Sequence, residues 1–154
     1  MLSRNFRLQK VGDLNWLKKN YDFSKIAFSI DELIILDVTR GNRDEKRFQE
    51  HVHSLTEECF VPIAAGGGIR TLEQAQNLLH SGSDKVVVNT LIHKNPQVLK
   101  EISEEFGRQC VVATVDAKKN GDHYSIWVDN GSLKVEVSLE EWLNTISDLP
   151  IGEV

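Results

Sequence analysis

The chain has 154 residues, 40% of them hydrophobic and 27% charged, with a formal net charge of -5. That length supports one ordinary domain with its own core, and the acidic balance argues against a nucleic-acid surface, which needs a basic face. No apolar run is long enough to span a bilayer and Met1-Leu2-Ser3-Arg4-Asn5 carries no signal-peptide core, so a cytoplasmic protein with no membrane partner is expected.

From Glu32 onward strands and helices alternate. Glu32-Leu33-Ile34-Ile35-Leu36-Asp37 is a near-continuous apolar run, the pattern of a strand buried on both faces. Arg43 to Cys59 places Phe48, Val52 and Leu55 at helical spacing. Val61 to Ala65 is the next strand and runs into Gly66-Gly67-Gly68, where backbone N–H groups can approach an anion closely. The competing reading of the glycines is a tight turn that requires positive φ. Thr71 and Gln74 then form a capping-box start for a helix that stops near Gly82. Lys85 to Asn89 is a strand, Asn95-Pro96 opens a helix that ends before Gly107, and Cys110 to Val115 is a further strand leading to Asp116.

Residues 118–137 depart from the alternation. Two turns, Lys119-Asn120-Gly121-Asp122 and Asp129-Asn130-Gly131, flank His123 to Val128, and Leu133 to Val137 follows, so a small β-hairpin excursion is expected there. Ser138 and Glu141 form a second capping box for a helix to about Ile146, and Ile151 to Val154 resembles the beginning of a strand.

Strand–helix alternation implies a parallel sheet, either doubly wound and open or part of a (β/α)₈ barrel. In a barrel, function sits on the loops after the strands. Asp37, Gly67, Gly68, Asn89, Thr90 and Asp116 all fall at such positions. Asp116 at a strand mouth should be partly desolvated, with its pKa raised toward general acid–base use; the alternative is a cap for the next element. Asp37 could instead be held locally by Thr39-Arg40-Gly41, and Asn89-Thr90 could simply start a helix. Lys85 reads either as a solvated strand terminus or as a partner of Glu32 across adjacent strands.

Cys59 and Cys110 read as buried thiols rather than a disulfide. The five histidines have no zinc-site spacing, and His51 and His53 point different ways on one helix, so no metal and no cofactor are expected. Trp16, Trp127 and Trp142 are not interleaved with basic residues as a nucleic-acid platform would require.

Taken in order, Ile30 to Asp37, Ala65 to Ile69, Ser83 to Thr90, Asn95-Pro96, Phe106-Gly107, Val111 to Lys118 and Gly152-Glu153 resemble the cyclase subunit of imidazole glycerol phosphate synthase, a histidine-biosynthesis TIM barrel. The resemblance covers residues 31–154 well and 1–30 loosely. It implies a single partial barrel domain over 1–154, roughly half of a (β/α)₈ barrel, from the end of strand one through helix five. It also implies ring closure of the phosphorylated substrate PRFAR with ammonia from a partner glutaminase, giving imidazole glycerol phosphate and AICAR. Asp116 matches a catalytic aspartate, and Asp37 matches one near the substrate. Gly67 and Gly68 belong to the glycine run, and Gly68, Asn89 and Thr90 match a phosphate site. Glu32, Asp84 and Lys85 match the opposite end, where the family docks its glutaminase and gates ammonia.

Two departures shape the expectations. No aspartate precedes Asp13, so the family's strand-one aspartate is missing, and the sequence stops as strand six begins, as a fragment or truncated gene would. A half-barrel leaves open sheet edges, which pairing with another half-barrel would cover. One alternative is a cyclase-like paralogue that relays glutaminase-derived ammonia to a sugar amidotransferase in surface-polysaccharide synthesis. Another is a non-catalytic half-barrel assembly module.

Overall fold

The computed structural model describes residues 2–4, 7–9 and 12–154. The expectation that the opening residues lack a strand ending in an aspartate falls partly outside them. Within them, β1 (Leu2–Arg4) and β2 (Arg7–Gln9) pair antiparallel. Two short helices follow where the sequence pattern predicts no element: α1 (Leu14–Asn20) and α2 (Phe23–Ile26). Each is opened by an aspartate whose carboxylate accepts a backbone N–H, Asp13 from Trp16 and Asp22 from Lys25.

The body of the fold is a parallel sheet of β3 (Leu33–Leu36), β4 (Ile63–Gly66), β5 (Lys85–Val88) and β6 (Val111–Ala113), in that spatial order. Chain order equals spatial order, whereas a doubly wound sheet reverses direction at a switch point. The connecting helices are α3 (Glu45–Thr56), α4 (Leu72–His80), α5 (Thr90–Lys94) and α6 (Pro96–Phe106). Their apolar stripes meet one face of the sheet only. Ala65, Val86, Val88, Val111 and Ala113 pack with Val52, Ala75, Leu78, Leu99 and Ile102, while the intervening Ala64, Val87 and Val112 form a separate cluster on the other face. Helices outside and small apolar residues inside make this a segment of a (β/α)₈ barrel. At its far edge Glu153 bridges parallel to Val112, so the final residues do begin to extend the sheet.

Three expectations need correction. The strand at Leu33–Leu36 is not buried on both faces, because Ile34 and Leu36 on the inner face are 55% and 46% exposed. Alternation, rather than a continuous buried run, describes it. The excursion expected over 118–137 is a three-stranded antiparallel sheet beginning two residues earlier: β7 (Asp116–Asn120), β8 (His123–Val128) and β9 (Leu133–Val135). The first strand is hidden in the sequence because only Asp116 is shielded and the four residues after it are exposed. Cys110 closes a 3₁₀ turn (Arg108–Cys110) rather than opening the strand. It is half-buried, while Cys59 is fully buried; both are free thiols.

Local signals hold where they are strongest. Both capping boxes form, Thr71 with Gln74 and Ser138 with Glu141, the latter opening α7 (Leu139–Ser147). Hydrogen bonds from Ser138 hold the Glu141 carboxyl below its ordinary pKa. Trp142 and Ile146 then anchor α7 in the main core, which also holds Ile126 and Val128 of the excursion. Leu99 on α6 is fully buried in that core. Leu99→Ala should cost about 2–5 kcal/mol through lost burial plus the cavity left behind, measured by urea unfolding.

Candidate functional site

At the C-terminal ends of the four parallel strands the structure encloses a cavity of about 500 Å³, lined by Asp37 after β3, Gly67 and Gly68 after β4, Asn89 and Thr90 after β5, and Thr114 and Asp116 after β6. The six residues singled out at strand ends thus converge on one space. Arg40, Arg43, Arg70 and Lys94 also line it, as do Asp129 and Asn130 from the β8–β9 turn.

The glycines are there because nothing larger fits. A Cβ on Gly66 would strike the Val87 carbonyl of β5, and one on Gly67 would strike the Asp37 carbonyl that follows β3. Gly67 also has φ 112°, a left-handed backbone that side chains resist. The tight-turn reading of this run is met at Gly67, and the close approach the glycines permit here is to the backbone of β5 and of the residue after β3.

Asp37 is held locally, but only partly by the residues first considered. Its Oδ1 accepts the Thr39 N–H at 2.9 Å, and its Oδ2 lies 3.4 Å from Arg43 Nε. Asn89 precedes α5 yet makes no side-chain cap; its Nδ2 donates to the Thr114 carbonyl at 3.1 Å and ties β5 to β6. Its Oδ1 is buried without a hydrogen bond. Thr90 Oγ1 accepts the Asp129 N–H at 2.9 Å, which leaves the hydroxyl proton able to donate elsewhere. Asp129 and Asn130 both have φ 56°, so a left-handed turn places this contact, and Lys94 Nζ stands 3.9 Å from the Asp129 carboxylate. Asp116 is half-buried at the cavity, and burial raises its pKa above the ordinary carboxylate value.

Glu32, Asp84 and Lys85 lie at the other end of the strands. Lys85 Nζ sits 3.0 Å from Glu32 Oε1 and 2.6 Å from Glu153 Oε2, and these two carboxylates raise its pKa, Glu153 foremost. The Lys85–Glu32 pair forms, but not across adjacent strands: β4 lies between β3 and β5. The small Ala64 of β4, in register with Lys85 and Ile34, lets the two longer side chains meet over it. Asp84 points elsewhere, accepting the Ile63 N–H at 2.8 Å to fix the start of β4.

Sequence reasoning missed Arg43, Glu153 and the Asp129 turn as members of these two groups. Only the Asp-Asn-Gly turn carries a local signal, its tolerance of left-handed backbone. Among the described residues no three His, Cys, Asp or Glu side chains gather as a metal site, and no helix is long and apolar enough to cross a membrane.

A parallel sheet with helices on one face only, and with a cavity and cationic groups at its C-terminal strand ends, defines a segment of the (β/α)₈ class. A family model described as "Histidine biosynthesis protein" matches residues 17–154, and the chain belongs to that family. It is 43% identical over 153 residues to "Putative imidazole glycerol phosphate synthase subunit hisF2" of Parasynechococcus marenigrum (strain WH8102), covering 99% of this chain and 57% of that protein. It is 32% identical over 145 residues to "Imidazole glycerol phosphate synthase subunit HisF" of Dictyoglomus thermophilum, covering 94% and 56%. To the HisF subunit of Exiguobacterium sp. (strain ATCC BAA-1283 / AT1b) it is 33% identical over 148 residues, covering 96% and 56%. The chain spans about half the length of the curated relatives it matches.

Two outcomes test this geometry. Gly67→Ala should destabilise by roughly 1–3 kcal/mol or more, because rigid backbone blocks the new Cβ. Gly68→Ala should cost less, because there the obstacle is the movable Arg43 side chain; thermal unfolding compares them. For Asp116 the folded pKa lies above the unfolded one, so its contribution to stability is present in acid and is lost as pH rises through the folded pKa. Asp116→Asn should therefore unfold at a higher temperature than wild type at neutral pH, with the difference vanishing below the carboxylate range.

Proposed function

We propose that this chain carries the phosphate seat and one of the acid–base groups of a cyclase of the imidazole glycerol phosphate synthase type, acting on PRFAR and ammonia. The observation that supports this reading most is the convergence of Asp37, Gly68, Asn89, Thr90 and Asp116 on one cavity. A phosphate of the substrate sits against Gly68 and Thr90, and Asp116 reaches the ring-forming atoms. A carboxyl whose pKa burial has raised exchanges protons closer to neutrality than an ordinary aspartate does. At the opposite strand ends, Lys85 between Glu32 and Glu153 forms a charged plug where ammonia from a glutaminase enters.

Incubation of the full-length barrel that carries this segment with PRFAR and an ammonium salt, with product followed by chromatography, tests the reading. Turnover that falls about 10²–10⁴-fold in Asp116→Asn is the expected result. No turnover by folded protein removes the cyclase assignment.

A second reading is a paralogue that relays ammonia to a separate amidotransferase. What supports it is that Lys85, held between Glu32 and Glu153 at the end where the family docks its glutaminase, is kept, while the described residues before Asp13 offer no second acid–base carboxylate beside Asp116. It predicts that the chain stimulates its glutaminase without consuming PRFAR, and that Lys85→Glu disturbs this stimulation. A glutaminase that neither binds nor responds eliminates it.

A further inference from the structure

The neutral groups assigned to the phosphate seat leave a problem of charge. Gly67, Gly68, Asn89 and Thr90 offer hydrogen bonds but no positive charge, and the Asp37 carboxylate, only 12% exposed, lines the same cavity; of the cations that line it, Arg40, Arg43, Arg70 and Lys94, the one against both Asp37 and Gly68 is Arg43. A phosphate monoester placed there would face a buried like charge, which is unfavourable at low effective dielectric.

Arg43 answers both difficulties. Its side chain is 16% exposed, its Nε lies 3.4 Å from Asp37 Oδ2, and its guanidinium lies so close to Gly68 that a Cβ there would overlap it. Although Nε is shielded from solvent and near Asp37, it makes no hydrogen bond. A charged donor left unmade in a cavity is costly, and the cost is recovered when an acceptor arrives. Asp37 does not depend on Arg43 alone, because Thr39 N–H already binds its other oxygen. The backbone at Arg43 is fixed by the next residue, since Asp44 caps α3 by accepting the Arg47 N–H at 3.0 Å. Only the side chain has to move.

We infer that Arg43 is an anion-binding residue of this cavity, exchanging its contact with Asp37 for the oxygens of a phosphate monoester seated at Gly68. The inference rests on the reading of the cavity as a phosphate seat and adds its counter-charge. A planar guanidinium suits this task because it presents paired donors to phosphate oxygens.

Titration of the ¹⁵N-labelled chain with inorganic phosphate in chloride buffer, followed by NMR, tests it. Shifts are expected at the Gly68, Asn89 and Thr90 amides and at Arg43 Nε–H. Arg43→Gln should weaken phosphate binding about tenfold or more, the loss of one charge-assisted contact. Asp37→Asn should tighten it, because the competing carboxylate is gone and the amide oxygen still accepts from Thr39. Amide shifts at the seat with an unmoved Arg43 resonance, undiminished affinity in Arg43→Gln, or equal weakening by both variants would each overturn the inference while the seat stands. No shift at Gly68, Asn89 or Thr90 would remove the seat itself and the inference with it. Should Arg43→Gln fail to fold, the wild-type Nε–H titration decides alone.

Discussion

The end of β4 has no room for side chains. Gly66 lies against the Val87 carbonyl on one side and Gly67 against the Asp37 carbonyl on the other, so the strand is pressed between the ends of β3 and β5. The hydrogen bond from Asp37 N–H to the Gly66 carbonyl at 2.8 Å holds that approach. The loops leaving β3, β4 and β5 are thereby drawn around one point. A bulkier residue at Gly67 would push Asp37 outward and widen the cavity that Asn89, Thr90 and Asp116 complete from the other side.

The same strands carry two different chemistries at their ends, and the inner face separates them. Ala64, Val87 and Val112 form a short apolar wall with no polar side chain among them. Below it Lys85 joins Glu32 to Glu153; above it cations and carboxylates surround the cavity. The apolar wall separates the two charge groups. At the lower end a lysine is shared between two carboxylates. At the upper end Asp37 is held by a backbone N–H and by Arg43.

What was legible in the sequence depended on how local its cause is. Both capping boxes involve partners three residues apart and could be read directly. The strand–helix alternation gave the parallel sheet, since burial against outer helices leaves a strong apolar signal in Val86, Val88 and Val111, but it did not separate a barrel segment from an open doubly wound sheet; the family resemblance did. The three-stranded excursion was underestimated because β7 is mostly exposed and pairs its polar residues with β8. Strand-end positions identified six residues of the cavity lining, at least one from the end of each of the four strands. Arg43 was not identifiable, since its meaning comes from contact with Asp37 and Gly68, and a charged residue before a helix is ordinarily a solvated one. Glu32 and Lys85 were paired correctly but placed on neighbouring strands, because sequence does not show that a small Ala64 lets the pair reach over β4.

The sheet register also bears on how the chain moves. Leu33 pairs with Ile63, Ala64 with Lys85 and Val86 with Val111, so each βαβ unit closes a loop of similar length. Closure entropy grows only with the logarithm of loop length, so topology favours none of these units over the others. Burial does distinguish them. Val86, Val87 and Val88 of β5 are all buried between two hydrogen-bonded neighbours, whereas Ile34 and Leu36 on the inner face of β3 are exposed. Regions with few buried apolar contacts open at the lowest free energy. The strand that leads into Asp37 therefore opens at a lower free energy than β5, and the Asp37 carboxylate that binds Thr39 N–H loosens with it.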